Sequence, residues 1–274
     1  MKSSRLIAVQ RKPTALVAEQ VAPATIGAVI VVNFGSSALL EQNLARVEVP
    51  EGSFIVVVDC FSDAAERARV ASACTTHGWQ AVLLDANVGF GAGVNAGADA
   101  AAQRGATVLV TLNPDAWIAA SDLHVLIEAA RANPRALVSP HIVTGDGRPW
   151  FSGADLYLDD GTTAGRVRRE QFEGRPYREW ATGACFAISA ELWCEVGGFD
   201  DDYFLYGEDI DLSHRILDAG GSLELLDVQA IHDEGQTHAG AANATKPVQD
   251  VLGCDGARNV GHECPNQGFE LLVC

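Results

Sequence analysis

The sequence predicts an α/β protein built on a mostly parallel sheet with helices packed on it. Short apolar runs rich in β-branched residues, such as 26–32 (IGAVIVV) and 54–58 (FIVVV), alternate with segments of helical periodicity. Uninterrupted apolar runs of this length are typical of strands buried on both faces. Strands separated by single helices indicate right-handed βαβ units, which produce parallel sheets.

The elements follow from local signals along the chain. The turn Asn33-Phe34-Gly35-Ser36 leads into a helix with an apolar stripe, and Ser62 or Asp63 is expected to cap the next helix. A further helix is expected at about 122–131. The predicted strands are 26–32, 54–58, 81–84, 107–112 and 136–143.

Four of these strands end in a polar side chain. The side chains are those of Asn33, Asp59, Asp85 and Asp115. Because ligands of parallel sheets bind beyond the carboxyl ends of the strands, this edge is the expected binding edge. A carboxylate such as Asp115 could cap the following segment, or it could bind Mg²⁺ or Mn²⁺ that bridges a diphosphate.

Residues 87–97 (NVGFGAGVNAG) are predicted to form a loop that passes into an Ala-rich helix. The dinucleotide fingerprint G-x-G-x-x-G is absent, because Val94 and Ala96 occupy the positions that the third glycine would need. The glycines could allow close approach of a ligand or tight packing of the helix, and both alternatives stay open.

After Pro149 the sequence changes to short strands and turns, which predicts a smaller mixed region. Five arginines lie within thirteen residues and are interleaved with glutamates, as in a solvated hairpin or in a contact with an anionic ligand. Residues 222–231 are predicted to form a strand pair that ends at His232. This histidine is either structural or completes a metal site, since imidazole is a good ligand of Mn²⁺.

The stretch 180–215 carries the densest chemical signal. Small residues at Thr182-Gly183-Ala184 precede a strand and a helix, and an aromatic-rich loop then leads into three acids: Glu208, Asp209 and Asp211. Acids in a first helical turn can simply stabilise the helix dipole, and Asp211 can pair with Arg215. A carboxylate held at a pocket rim could alternatively accept a proton from a substrate hydroxyl.

Composition excludes several classes of protein. The formal net charge of −17 disfavours a nucleic-acid-binding surface, which requires clustered Lys and Arg. The seven cysteines include no CxxC pair, which disfavours a structural zinc site or a disulfide framework and favours a reducing cytoplasm. No run reaches transmembrane length, so we expect at most peripheral membrane contact, at the inner face of the membrane.

Residues 1–25 are expected to form a lead-in, and 239–274 an irregular tail.

The order of VVVDCFSD, NVGFGAGVNAG, LNPD, TGACFAISAELWCEVGGFDDDYFLYGEDIDLSHR and His232 resembles glycosyltransferase family 2, and within it bacterial rhamnosyltransferase-like members. The resemblance covers about 26–238. It implies the GT-A fold, a Rossmann-like sheet with a nucleotide-binding half at 26–145 and an acceptor half at 146–238. Cys60 departs from the family, which usually has asparagine there, and the tail lacks the expected closing helices.

The resemblance also implies roles for individual residues. Asp209 would be the catalytic base, assisted by Glu208, and Asp115 with His232 would bind a divalent cation, Mg²⁺ or Mn²⁺. The sugar pocket would involve Thr182, Gly183, Ala184 and Asp200. The nucleotide-diphospho-sugar, a dTDP- or UDP-sugar, would be bound by Asn33, Phe34, Asp59, Asp85, Asn87, Gly91, Asn95, Asn113 and Asp115.

The expected function is therefore inverting transfer of a sugar, with L-rhamnose as one candidate, to a hydroxyl of a cell-wall or surface-polysaccharide acceptor, either a glycan or a lipid-linked saccharide. Two alternatives stay open. A sugar-nucleotidyltransferase would need a basic phosphate-binding loop after the first strand, and NFGSSALLEQN contains no basic residue. A non-catalytic sugar-nucleotide-binding protein would bind the donor without turning it over.

Overall fold

The structure is a computed structural model that describes residues 27–232. The predicted lead-in at 1–25 and the predicted tail at 239–274 lie outside the described residues. The α-helices are α1 (Ser37–Gln42), α2 (Ala64–His77), α3 (Phe90–Gln103), α4 (Ala120–Ala132), α5 (Ala190–Val196) and α6 (Glu208–Asp218). The strands are β1 (Gly27–Asn33), β2 (Phe54–Asp59), β3 (Gln80–Leu83), β4 (Val108–Leu112), β5 (Ala116–Ile118), β6 (Ala136–Val143), β7 (Pro149–Phe151), β8 (Ala154–Tyr157), β9 (Thr163–Gly165), β10 (Tyr177–Trp180), β11 (Cys185–Ser189) and β12 (Ser222–His232).

The central sheet has the strand order β3-β2-β1-β4-β11-β6-β12-β5, and β7 pairs with β6 beside this path. The pairs β3/β2, β2/β1, β1/β4 and β6/β12 are parallel. Strand β11 runs antiparallel to both of its neighbours, β4 and β6, and β5 runs antiparallel to β12. A separate antiparallel sheet, ordered β10-β8-β9, accounts for the smaller mixed region.

Helices cover both faces of the central sheet. Along β1, the side chains of Val29 and Val31 belong to one apolar core and that of Ile30 to the other, because successive residues of a strand point to opposite faces. The first core lies under α1, α2 and α4, and the second lies under α3, α5 and α6. The runs of β-branched residues are continuous because both faces are buried.

Most predicted elements match the structure, and three differ. Helix α3 begins at Phe90, so the glycines at 91, 93 and 97 lie inside a helix and not in a loop. The predicted strand pair at 222–231 is one strand, β12, with an irregularity in its pairing between Leu226 and Gln229. The short strand β5 had no signal in the sequence, because three residues are too few to show a period.

Tight packing accounts for the glycines of α3. A Cβ atom at Gly93 would lie 2.9 Å from Val32 Cγ1, and one at Gly97 would overlap the side chain of Ile30. A Cβ at Gly91 would lie 3.0 Å from the Cβ of Phe199. The helix therefore approaches β1 more closely than any helix with side chains at these positions could.

The arginine-rich segment is an ion-paired part of the smaller sheet. Arg169 contacts Asp155 at 2.6 Å and Glu179 at 2.9 Å, and Asp155 is fully buried. The side chains of Arg166, Arg175 and Arg178 also pair with carboxylates. The hairpin prediction was wrong in its conformation, because residues 166–172 form a 3₁₀ helix. Four of the five arginines already have anionic partners within the described residues.

Among residues 27–232, no helix combines the length and apolar character that crossing a bilayer requires.

We expect Gly97→Ala to destabilise the protein by about 1–3 kcal/mol, because the added methyl group must displace Ile30 in a close-packed core. The matched control is Gly165→Ala, whose Cβ would meet only Val167, at 3.8 Å, and whose φ of −58° suits any residue. That control should be neutral or stabilising by up to about 1 kcal/mol. Urea unfolding of both variants measures the difference, and equal stabilities would contradict the packing argument.

Candidate active site at the carboxyl edge of the central sheet

Asn33 and Asp59 lie side by side where β1 and β2 end, and both are fully buried. The amide of Asn33 donates to Asp59 Oδ1 at 3.2 Å, and Arg67 Nε donates to Asp59 Oδ2 at 3.0 Å. Arg67 also lies 4.5 Å from the ring centroid of Phe61. The buried carboxylate is thus neutralised by a guanidinium group from α2.

Three further residues predicted to bind the nucleotide lie on the open side of this edge. The ring of Phe34 is 36% exposed, and the side chain of Asp85 is fully exposed. Asn87 Oδ1 accepts a hydrogen bond from Gly89 N–H at 3.1 Å, which shapes the turn before α3. Phe34 and Asp85 are therefore accessible to a ligand, and Asn87 has a local structural contact.

Asp115 and His232 meet on the neighbouring part of the edge, although 117 positions of sequence separate them. His232 Nε2 lies 3.2 Å from Asp115 Oδ1 and 3.2 Å from the amide nitrogen of Asn113. The indole of Trp150 stacks on the imidazole with centroids 4.4 Å apart. Both Asp115 and His232 are buried, so their mutual orientation is set by packing on all sides.

The Asp115–His232 pair is compatible with a divalent cation. Adjacent ligands of an octahedral Mg²⁺ or Mn²⁺ ion, at about 2.1 Å from the metal, lie about 3 Å apart, close to the observed oxygen–nitrogen separation. His232 Nδ1 is buried and has no hydrogen-bond partner among the described residues. No group of three or more His, Cys, Asp or Glu side chains within 27–232 could hold a metal. The pair would therefore supply part of a coordination sphere that substrate or water oxygens must complete.

The segment Thr182–Ala184 connects this pair to Asp209. Asn113 N–H donates to the carbonyl of Ala184 at 2.9 Å, and Gly183 N–H donates to Asp209 Oδ2 at 3.2 Å. A Cβ at Gly183 would lie 2.9 Å from the ring of Phe90, so the position has no room for a side chain. One segment thus contacts both the strand end that carries Asp115 and the carboxylate of Asp209.

Backbone groups orient Asp209 in the first turn of α6. Ile210 N–H donates to Asp209 Oδ1 at 2.9 Å, and Ser213 Oγ donates to the carbonyl oxygen of Asp209 at 2.7 Å. Ala181 N–H in turn donates to Ser213 Oγ at 3.1 Å. The helix turn and the 181–183 segment are therefore joined by hydrogen bonds on both sides of the carboxylate.

Burial raises the pKa of both acids at the start of α6. Desolvation raises the pKa of Asp209, and the N–H groups of Gly183 and Ile210 partly offset this effect. Desolvation also raises the pKa of Glu208, and the neighbouring charge of Asp209 adds to it. Glu208 Oε2 is buried and finds no partner within the described chain. Asp209 is thus the acid of the pair that ionises more readily.

The remaining predicted contacts lie around the connecting loop, residues 197–207, which joins α5 to α6. Asp200 Oδ1 accepts from Asp202 N–H at 2.9 Å, and Asn95 hydrogen-bonds to Phe199 and Asp201. Gly91 packs against Phe199. The loop ends in two residues with positive φ, Tyr206 at 69° and Gly207 at 91°, which turn the chain into α6.

Sequence reasoning missed Arg67, Trp150 and Ser213. For Arg67 and Ser213 the sequence contains only a weak indication of a role in the site, namely their nearness in sequence to predicted acids. Arg67 follows Asp59 by eight residues, and Ser213 follows Asp209 by four. Trp150 had none, because its contact with His232 depends on the pairing of β7 with β6.

Comparisons with known proteins identify the family of the chain and its fold. The model of the family described as Glycosyl transferase family 2 matches residues 28–194, more than half of the chain. In Mycobacterium tuberculosis, strains CDC 1551 / Oshkosh and H37Rv, the N-acetylglucosaminyl-diphospho-decaprenol L-rhamnosyltransferase is 31% identical over 129 residues. The match covers 41% of this chain and 42% of the relative, so the chain aligns with less than half the length of these curated relatives.

Solved structures share the fold at low sequence identity. GalNAc-T7 with UDP, GalNAc and Mn²⁺ superposes with a TM-score of 0.60 and 19% identity, over 77% of this chain and 44% of that one. The mannosyltransferase PcManGT from Pyrobaculum calidifontis, in complex with GDP-Man and Mn²⁺, gives a TM-score of 0.55 and 21% identity, over 78% of this chain and 58% of that one.

These matches and the mostly parallel, helix-flanked sheet confirm the expected fold class. The chain belongs to glycosyltransferase family 2 and has the GT-A fold.

Proposed function

We propose that the protein is an inverting glycosyltransferase that moves a sugar from a nucleotide-diphospho-sugar to an acceptor hydroxyl. The observation that carries the proposal is the position of Asp209. Its carboxylate is oriented by two backbone N–H groups, and through Gly183 and Ala184 it is connected to the strand end that bears Asp115. A base and a diphosphate-binding edge are the two components that the reaction needs within reach of one sugar.

Asp209 acts as the general base. It accepts the proton of the acceptor hydroxyl while that oxygen forms a bond to the anomeric carbon, on the face opposite the diphosphate. The bond between the anomeric carbon and the diphosphate oxygen breaks, and the nucleoside diphosphate leaves with the electron pair. Because burial raises its pKa, Asp209 is a stronger base than an exposed carboxylate. Glu208 holds a proton to higher pH and helps to orient the base or a sugar hydroxyl.

The donor lies along the carboxyl edge of β1, β2 and β4. Asp59, oriented by Asn33 and Arg67, accepts from the nucleotide base, and Phe34 contributes an exposed aromatic surface beside it. Asp115 and His232, with Asn113 beside them, would hold a divalent cation, which would supply positive charge to offset the negative charge on the departing diphosphate. Thr182, Gly183, Ala184 and Asp200 line the sugar pocket.

The mycobacterial relative is named for transfer of L-rhamnose to N-acetylglucosaminyl-diphospho-decaprenol. We propose the same chemical class here: a deoxyhexose such as L-rhamnose from a dTDP-sugar, with a UDP-sugar as the second candidate, and a lipid-linked saccharide as acceptor. Such an acceptor would place the protein at the cytoplasmic face of a membrane.

The proposal is tested by measuring release of nucleoside diphosphate from dTDP-L-rhamnose and from UDP-N-acetylglucosamine in the presence of Mn²⁺. Slow hydrolysis without an acceptor supports an enzyme, because water replaces the acceptor hydroxyl. Binding without any release of nucleotide would instead support a non-catalytic sugar-nucleotide-binding protein.

We expect Asp209→Asn to lower turnover by about 10²- to 10⁴-fold, because the amide cannot accept the proton. Binding of the nucleotide, followed by thermal shift, should be unchanged. The matched control is Asp218→Asn, the same change in the last turn of the same helix, where the side chain is exposed and pairs with Arg178. A folded Asp209→Asn variant with near-normal turnover would disprove the role of the base.

We expect Glu208→Gln to stabilise the protein increasingly as the pH rises. The folded protein retains this proton at pH values where an unfolded glutamate, with a pKa of about 4.3, has lost it. Above this unfolded pKa, the need to keep Glu208 protonated or to ionise it in a buried place lowers the free energy of unfolding of the wild type. Glutamine does not ionise, so the variant lacks this loss of stability. Thermal melts from about pH 4 to about pH 8 should show a growing difference between variant and wild type. The control Glu191→Gln, exposed on α5, should lack this growing stabilisation, because its side chain is already in contact with water.

We expect removal of the cation with EDTA to abolish turnover, and His232→Gln to weaken the Mn²⁺ dependence of UDP binding by at least about tenfold. The expected cause is loss of a nitrogen ligand adjacent to Asp115. His124→Gln, exposed on α4, is the control. An unchanged Mn²⁺ titration in His232→Gln would show that the histidine is not a ligand.

A further inference from the structure

The side chain of Asn95, in α3, makes hydrogen bonds to the connecting loop. Asn95 Nδ2 donates to the carbonyl of Phe199 at 2.8 Å, and Asn95 Oδ1 accepts from the N–H of the same residue at 3.0 Å. The second N–H of the amide points to Asp201 Oδ1 at 2.7 Å. These three hydrogen bonds join parts of the chain that are 104 and 106 positions apart in sequence.

Only an asparagine satisfies all three contacts. Its amide pairs with Phe199 as one peptide group pairs with another in a sheet, donating to the carbonyl and accepting from the N–H. An aspartate could not donate to the carbonyl and would face the carboxylate of Asp201. The loop comes this close because Gly198, with φ of 67°, has no side chain, and a Cβ there would lie 2.5 Å from Asn95 Oδ1.

The rest of the loop is fixed at its two ends. Phe90 N–H, in the first turn of α3, donates to the carbonyl of Phe204 at 3.0 Å. Arg215 Nη1, in α6, donates to the carbonyls of Val196 and Gly198 at 2.5 and 2.7 Å. Asn95 thus joins α3 by hydrogen bonds to the first half of a segment whose last residue, Gly207, directly precedes Glu208 and Asp209.

We propose that Asn95 is a positioning residue for the base Asp209, an inference that rests on the function proposed above. It acts through the connecting loop, which sets where α6 begins and hence where the carboxylate lies relative to Gly183 N–H. The family resemblance implies instead that Asn95 contacts the nucleotide-sugar. In the structure both of its N–H groups and one lone pair of its oxygen are already used by the loop.

The two roles predict different kinetics. A displacement of the base of about 1 Å can reduce the rate about 10²-fold without affecting donor binding. We therefore expect Asn95→Asp to lower kcat for hydrolysis of dTDP-L-rhamnose or UDP-N-acetylglucosamine by about 10- to 100-fold, with the donor KM within about twofold of wild type. Hydrogen–deuterium exchange of the loop amides at 199–206 should be faster in the variant.

The matched control is Asn133→Asp. Asn133 also donates to a carboxylate, Glu224 Oε1, at 2.7 Å, but it lies at the opposite edge of the sheet, where β6 and β12 begin. The same change of charge there should leave kcat, KM and loop exchange unchanged. In the double variant Asn95→Asp with Asp201→Asn, the amide at position 201 can donate to the carboxylate at position 95, so this one hydrogen bond forms in the opposite direction. The double variant should therefore recover kcat by about tenfold over the single variant.

The outcomes separate the alternatives. A raised donor KM with unchanged kcat in Asn95→Asp would overturn the proposal in favour of a donor contact. Faster loop exchange with unchanged kcat would also overturn it, since the loop would then not position the base. If Asn95→Asp does not fold, Asp201→Ala, which removes only one of the three bonds, decides: a lower kcat at constant KM supports the proposal and an unchanged kcat refutes it.

Failure of the proposed function itself would be recognised separately. Wild-type protein would then release no nucleoside diphosphate from either donor, whereas hydrogen exchange would still report whether Asn95 holds the loop.

Discussion

The close approach of α3 to the central sheet is the constraint on which the candidate site depends. Gly93 and Gly97 let the helix lie directly on β1, and Gly91 lets Phe199 pack against it. This position brings Phe90 against Gly183 and Phe199, so that one aromatic ring touches both the 182–184 segment and the connecting loop. A helix held farther from the sheet by larger side chains would separate these segments, and Asn95 would not reach the loop.

The two acids at the start of α6 illustrate how environment divides chemical roles between neighbours in sequence. Both are withdrawn from water, which raises both pKa values. Asp209 accepts two backbone N–H groups, whereas Glu208 Oε2 has no hydrogen-bond partner in the part of the chain that is described. Because hydrogen bonds to the ionised form favour it, the negative charge is concentrated on Asp209. The N–H groups of Gly183 and Ile210 therefore determine which of the two acids ionises first.

The sequence predicted the parallel strands and the polar ends at 33, 59 and 115 because uninterrupted β-branched runs are a strong local signal. It placed the start of α3 too late, since glycines normally mark loops and nothing local shows that a helix needs them for packing. The meeting of Asp115 with His232 was one of two alternatives that the residues left open, because both follow predicted strands, and the family resemblance favoured it. Arg67 had only a weak signal and Trp150 had none, since their contacts arise from the docking of α2 and the pairing of β7.

The reversed direction of β11, which lies between β4 and β6, has a consequence for how the molecule can vary in evolution. Its first residue, Cys185, pairs with Leu112, the last residue of β4, so the beginning of one strand and the end of the other share an edge. The N–H groups that precede β11 therefore lie at the same edge of the sheet as the carboxylates that follow the parallel strands β2 and β4. The segment that connects β6 to β11 contains the separate small sheet, and both of its ends are strands of the central sheet. Insertions or deletions within that segment, away from Trp150, can reshape the surface proposed to face an acceptor, while the strand ends proposed to bind the donor and the proposed base Asp209 stay in place.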